Sequence, residues 1–258
     1  MIANYHTHTW RCNHAQDTER EYVEAAVARG IRTLGFADHA PYFFDGDYYS
    51  GFRMKREQYQ DYVDTLRGLK QEFAGKIDIR IGVEMEYYPK YFEKTLDFMG
   101  GIGLDYIIMG QHFLDHTESW HAYKETNDEC VLARYVDVVL EGAATGAYSY
   151  IAHPDHFHFV GEGKTWHKHM LRLCEGLKEM DVPVEMNLLG FLEGRHYPRR
   201  DFFEAVSEAG TKVVLGCDAH SKAQMGDAEI ARRGVSWLAE MNIVPEKEIP
   251  LRKPVVLR

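Results

Sequence analysis

The feature that most constrains this chain is a sevenfold repeat. A short run of β-branched and aromatic residues is followed at once by a histidine, carboxylate or amide, and then by an amphipathic stretch of helical period. The strand-like runs fall at 2–5, 33–37, 78–83, 106–109, 148–152, 182–186 and 212–216, and the helical stretches at 17–29, 55–74, 89–98, 128–144, 165–179, 200–209 and 227–240. No Pro/Gly/Ser-rich linker separates them, which predicts a single α/β domain over residues 1–258. A parallel sheet of this kind either stays open, with its chemistry at one switch point, or closes into a barrel whose mouth gathers residues from the C-terminal ends of many strands. Here the strands are followed in turn by His6 and His8, Asp38 and His39, Glu84 and Glu86, His112, His153 and Asp155, Asn187, and Asp218 and His220. That distribution predicts a distorted (β/α)7 TIM-like barrel with a ring of polar groups at its mouth. The aromatic-rich segments 40–54 and 113–127 are expected to wall the mouth. The tail beyond Asn242, with Pro245, Pro250 and Pro254, continues no unit and is expected along the outside.

Charge narrows the function. Thirty Lys and Arg against forty Asp and Glu give a formal charge of −10, with no segregated basic cluster, which argues against nucleic-acid and anionic membrane partners. No apolar run approaches the ~18 residues of a membrane span, and MIANYHTHTW lacks the basic and apolar regions of a signal peptide, so the expected location is cytoplasmic. Cys12, Cys130, Cys174 and Cys217 form no C-x-x-C pair and are expected as free thiols.

Histidine is the surplus residue, with 14 in 258. His6-Thr7-His8 places two imidazoles on one face of an extended segment, where they can hold one ion together. Asp218-Ala219-His220 repeats that geometry after the last strand, and barrel closure brings the two pairs side by side. With His14, His39, Glu84, His112 and His153 the set is seven histidines and two acids. It exceeds what one four-coordinate ion uses, or two once a carboxylate bridges, so about three divalent cations is the natural count. Imidazole mixed with carboxylate suits Zn, Mn or Fe. His156-Phe157-His158 repeats the H-x-H spacing but is expected as loop near the mouth.

In order and spacing, His6-Thr7-His8-Thr9, His14, Ala37-Asp38-His39, Gly82-Val83-Glu84, Gly110-Gln111-His112-Phe113, Ala152-His153-Pro154-Asp155 and Gly216-Cys217-Asp218-Ala219-His220-Ser221 resemble the polymerase-and-histidinol-phosphatase (PHP) superfamily. The resemblance implies a trinuclear site in which His6, His8, Glu84 and Asp218 hold one metal and Glu84, His112 and His153 a second, with Glu84 bridging. His14, His39 and His220 would hold the third, and Asp38 would orient an imidazole. Gly51-Phe52-Arg53-Met54, Gln111-His112-Phe113-Leu114, Glu185-Met186-Asn187 and Arg195-His196-Tyr197-Pro198 resemble the histidinol-phosphate phosphatase branch. The implied reaction is hydrolysis of L-histidinol phosphate to L-histidinol and phosphate by metal-activated hydroxide, with Glu84, Asp218 and His220 as catalytic residues. Arg195, then Arg53 and Arg199, are the candidates for binding the phosphate. Asp45, Asp47, Tyr48, Phe52 and Tyr87 are candidates for the cationic end of such a substrate. The alternatives are a PHP-type phosphoesterase for a nucleotide, a phosphodiester or another small phosphate ester, and a non-catalytic metal-binding domain.

Overall fold

The computed structural model describes residues 1–226 and 228–255. Seven parallel strands run in chain order, each paired with the next: β1 (Ala3–Asn4), β2 (Thr33–His39), β3 (Asp78–Glu84), β4 (Tyr106–Met109), β5 (Tyr148–Ile151), β6 (Val184–Asn187) and β7 (Val213–Gly216). Around them lie α1 (Glu19–Ala28), α2 (Tyr59–Glu72), α3 (Phe92–Ile102), α4 (Glu129–Ala144), α5 (Gly163–Glu179), α6 (Leu188–Glu193), α7 (Arg200–Ala209) and α8 (Ala228–Ala239). Every expected strand and helix is present, within a few residues at each end. The exception in detail is the expected helix start at Asp227, which lies outside the described residues, as do 256–258.

The ring closes at its mouth. There β7 meets β1 through a parallel bridge between Thr7 and Ala219. The His8 N–H donates to the Ala219 carbonyl at 2.9 Å, and the Cys217 N–H donates to Asn4 Oδ1 at 2.9 Å. Closure therefore happens where His6, His8 and Asp218 leave their strands. At the opposite end the tail departs from expectation. Glu246 bridges to Val214 on β7, its N–H donating to the Val213 carbonyl at 2.7 Å, and Ile249 packs into the barrel interior. The prolines break the repeat, but the apolar Ile249 and Leu251 carry the tail onto the barrel floor rather than along its flank.

Alternation along the strands sorts the side chains into two cores. Leu34, Phe36, Ile79, Ile81, Val83, Ile107, Met109, Val184, Met186, Val213 and Leu215 pack outward with the helices. Ala3, Tyr5, Ala37, Tyr106, Ile108, Tyr150, Ala152 and Val214 fill the interior. Because Ile79, Ile81 and Val83 face out, Gly82 and Glu84 face in; the same parity sends Glu185 and Asn187 inward from β6. Local signals fix the flanking helices. Thr18 and Glu21 form a reciprocal capping box at α1. Asn187 caps α6, accepting from the Gly190 N–H at 2.8 Å, and Gly194 ends it in the left-handed region at φ 64°.

The interior depends on one close approach. Tyr106 lies across the barrel, its hydroxyl donating to the carbonyls of Tyr5 at 2.7 Å and Phe36 at 3.1 Å, and a Cβ on Gly82 would overlap its ring. Gly82→Ala should lower unfolding stability by about 1–3 kcal/mol, the usual cost of overpacking. Guanidinium titration checks this, and an unchanged midpoint would show that the ring is free to move.

Candidate metal centre

The strand ends, and the turn after β1 that carries His14, bring all nine expected ligand residues to one place. His6 and His8, two apart on extended chain, bring their Nε2 atoms to 3.2 Å from each other. Asp218 Oδ1 lies 3.4 Å from His6 Nε2 and 3.1 Å from His8 Nε2, and Glu84 Oε2 lies 3.6 and 3.5 Å from the same atoms. The other Glu84 oxygen, Oε1, faces a second pair, His153 Nε2 at 3.0 Å and His112 Nε2 at 3.6 Å. His14 Nε2 and His220 Nε2 are 3.0 Å apart, and His39 sits between this pair and Glu84, its ring 5.4 Å from that of His14 and its Nδ1 3.1 Å from Glu84 Oε2.

A layer behind the ligands turns the rings. Glu185 Oε2 takes His6 Nδ1 at 2.8 Å, Glu86 Oε1 takes His112 Nδ1 at 2.9 Å, and the Cys12 and Asp218 carbonyls take the Nδ1 atoms of His14 at 2.8 Å and His220 at 2.9 Å. A carbonyl can only accept, so His14 and His220 carry their protons on Nδ1 and present a lone pair at Nε2. Asp38 stands 3.4 Å from His8 Nδ1 and accepts from the Thr9 hydroxyl and the His39 N–H, in the orienting position expected of it. Glu185 and Glu86 are supports that the sequence reading did not assign. For Glu185 the signal was available, since it lies two residues before Asn187 on an alternating strand.

The residues fit divalent cations on one observation above all. Glu84 is 1% exposed, and neither of its carboxylate oxygens has a hydrogen-bond partner. A buried ionised carboxylate without such partners is costly, and the donors around it are arranged for a cation. Electrostatics agree. Burial raises the Glu84 carboxyl, but His112, His6 and His39 outweigh that and hold it well below the usual carboxylate range. Burial pulls the His6 imidazole down, yet Glu185, Asp218 and Glu84 push it up to about 10. His220, desolvated and facing His8, falls to about 3.

The mouth opens into a cavity of about 790 Å³ lined by Glu84, Asp218 and His220 together with His121, Tyr123 and Arg195. Phe52 from segment 40–54 and Lys124 from segment 113–127 also line it, so both segments wall the mouth. Of the arginines, Arg195 alone of the three expected candidates is among the lining residues; Glu193 holds it at 2.7 Å and the Tyr197 hydroxyl at 2.7 Å. Arg53 and Arg199 are corrected. Arg53 is buried between Glu86 at 2.7 Å and Glu118 at 2.6 Å, and Arg199 binds Asp201 and the Phe159 carbonyl while stacked on Trp166. Neither is among the residues that line the cavity. Asp45 pairs with Lys90, and Tyr48 donates to Glu118, so of the residues considered for a substrate's cationic end Phe52 is the one that lines the cavity. His156 is buried with Nδ1 donating to the His153 carbonyl at 2.9 Å, and His158 stacks on His196 at 4.0 Å.

A Cβ on Gly110 would overlap the Glu84 carboxylate, and one on Gly216 would overlap that of Glu185. Gly110→Ala should therefore lower the amount of divalent metal retained after dialysis while circular dichroism stays unchanged; full retention would show that Glu84 is not a ligand. Because carboxylates hold a proton on His6, cation entry displaces it. Calorimetric titration in buffers of different ionisation enthalpy should show net proton release at pH 7, with affinity rising as pH rises. A buffer-independent heat would contradict this.

Comparison with known proteins agrees with this geometry. The PHP domain family model matches residues 4–189. A probable histidinol-phosphatase from Deinococcus radiodurans is 32% identical over 238 residues, covering 87% of this chain and 88% of that protein. The crystal structure of histidinol phosphate phosphatase from Lactococcus lactis, complexed with zinc, L-histidinol and phosphate, superposes with a TM-score of 0.72 at 17% identity, covering 100% of this chain and 99% of that one. A putative histidinol phosphatase from Listeria monocytogenes gives 0.73 at 18% identity, covering 89% and 99%. Among the described residues no helix is long and apolar enough to cross a membrane. With a family model spanning most of the chain and a relative aligned along nearly its whole length, this chain belongs to the PHP domain family.

Proposed function

We propose that this chain is a metal-dependent phosphomonoesterase that hydrolyses L-histidinol phosphate to L-histidinol and phosphate, carried out by one domain spanning residues 1–258. The observation that carries the metal-dependent reading is the buried, hydrogen-bond-free Glu84 carboxylate at the centre of seven imidazoles and Asp218, opening onto a cavity with Arg195 in its wall. The substrate comes from the relatives, whose names and bound molecules are those of histidinol phosphatases.

His6, His8, Glu84 and Asp218 hold one divalent cation, Glu84, His112 and His153 a second, and His14, His39 and His220 a third, drawn from Zn, Mn or Fe. Bound there, the cations polarise phosphoryl oxygens and lower the pKa of water. The protein does the rest. Glu84 offers one oxygen to each of two ligand sets and so fixes their spacing. Glu185 and Glu86 lock the rings of His6 and His112 from behind, so that no reorientation accompanies the reaction. Arg195, anchored by Glu193 and Tyr197, offers its guanidinium to the phosphoryl oxygens, which matches bidentate recognition of an anion. In hydrolysis the bond from phosphorus to the alcohol oxygen breaks, water supplies the new oxygen, and a proton reaches the departing alcohol. Asp218 and His220 line the cavity where that proton must pass.

The deciding experiment is turnover of a panel containing histidinol phosphate, nucleoside monophosphates, another small phosphate ester and a phosphodiester, with metal analysis of the same sample. The expected result is the highest kcat/KM on histidinol phosphate. Preference for a nucleotide or diester would replace the substrate, and no turnover by fully metal-loaded protein would leave a non-catalytic metal domain. Arg195→Ala should cost about 1.5–3 kcal/mol in kcat/KM, roughly one to two orders of magnitude, without loss of metal. Wild-type kinetics would remove Arg195 from the site. Glu84→Gln should lower bound metal and nearly abolish turnover in a folded protein.

A further inference from the structure

Cys12 stands beside the cluster with its chemistry unused by the reaction above. The chain after His8 curls through a 3-10 turn, Trp10–Cys12, capped by Thr9, and Asn13 reverses it in the left-handed region at φ 69°. This brings His14 back over the turn, its Nδ1 donating to the Cys12 carbonyl. The Cys12 side chain is fully buried and unpaired with another cysteine. Its sulfur, a ring nitrogen of His14 and a ring nitrogen of His220 all lie within 4.8 Å of one another. His39 joins His8 and His220 within the same span.

A second observation points to an ion at this end of the mouth. With their protons on Nδ1, His14 and His220 turn their Nε2 lone pairs toward each other at 3.0 Å. Two acceptors facing each other at that distance repel unless a cation lies between them. With His14, His39 and His220, one sulfur makes a set of four donors, the number a tetrahedral ion takes.

Resting on the three-cation reading, we propose that Cys12 is a sulfur ligand of the third cation, beside His14, His39 and His220. On binding, the S–H bond breaks, its electron pair passes to the cation and the proton leaves to solvent. A thiolate is a soft donor, so this position takes Zn²⁺, Fe²⁺ or Co²⁺ in preference to Mn²⁺ or Mg²⁺. The other two sets, made of imidazole and carboxylate, carry no such bias. The third position then differs from the other two in ion preference within one mouth.

Cobalt(II) loading tests this by a readout other than activity. The full chain loaded with cobalt should show a thiolate-to-cobalt charge-transfer band in the near ultraviolet. The band should persist in Cys130→Ser, whose cysteine is exposed, and vanish in Cys12→Ser and Cys12→Ala along with one tightly held zinc. X-ray absorption of the zinc-loaded wild-type protein, which needs no variant, should show a sulfur shell at about 2.3 Å. Three cobalt ions with no charge-transfer band would overturn the sulfur ligand and leave the three-cation reading standing. Two or fewer ions with no band would overturn both, and a band surviving both Cys12 substitutions would assign the sulfur elsewhere and overturn the proposal.

Discussion

Everything at the mouth of this barrel depends on burying one carboxylate, Glu84, among imidazole rings. Its two oxygens divide the surrounding imidazoles into sets, with His6 and His8 on one side and His112 and His153 on the other. Burying an ionised carboxylate is costly, and imidazoles packed this closely repel one another if protonated. Divalent cations resolve both problems at once, since they neutralise the carboxylate and require the neutral imidazole. The centre is therefore a place where the fold holds stress that its ligand relieves.

The fold bears that stress through parity and missing side chains. Inward parity on β3 and β6 places Glu84, Glu185 and Asn187 inside, while glycines on the neighbouring backbone make room for them. Gly110 clears space for Glu84, and Gly216 clears it for Glu185. Arg53 contributes from further out. It is fixed between Glu86 and Glu118 under the aromatic segment, so the carboxylate that turns His112 is itself anchored. Asn187 joins Glu185 at 2.7 Å and Asp218 at 3.1 Å while capping α6, linking the sixth and seventh strand ends. The barrel and the cluster at its mouth share the same bonds, because the closing contact of the ring, Thr7 with Ala219, lies between the pairs His6/His8 and Asp218/His220.

The strands, the helices and the gathering of nine His, Asp and Glu side chains at one mouth were legible because they rest largely on local signals: period, β-branching and polar residues soon after each apolar run. Even the ring shape followed from where those polar residues fell. What escaped was set by side-chain geometry over long sequence distances. Arg53, in the Gly51-Phe52-Arg53-Met54 stretch, was a candidate for the phosphate, but Glu118, sixty-five residues away, already holds it. Arg199 was lost in the same way to the Trp166 face and the Phe159 carbonyl. The tail was misplaced because prolines spoke against a further repeat without revealing that Ile249 had a floor to fill. Cys12 is the free thiol expected, but its place beside His14 and His220 depends on the turn at Asn13, which no local pattern announces.

The chemistry of the mouth turns on Glu84 as the proposed shared ligand of two cations. Anomalous diffraction from zinc-loaded crystals, collected on both sides of the zinc edge, tests it directly. Three peaks at the mouth are expected, two of them with one Glu84 oxygen each in their coordination shells. A single peak, or peaks whose ligands leave Glu84 out, would contradict it.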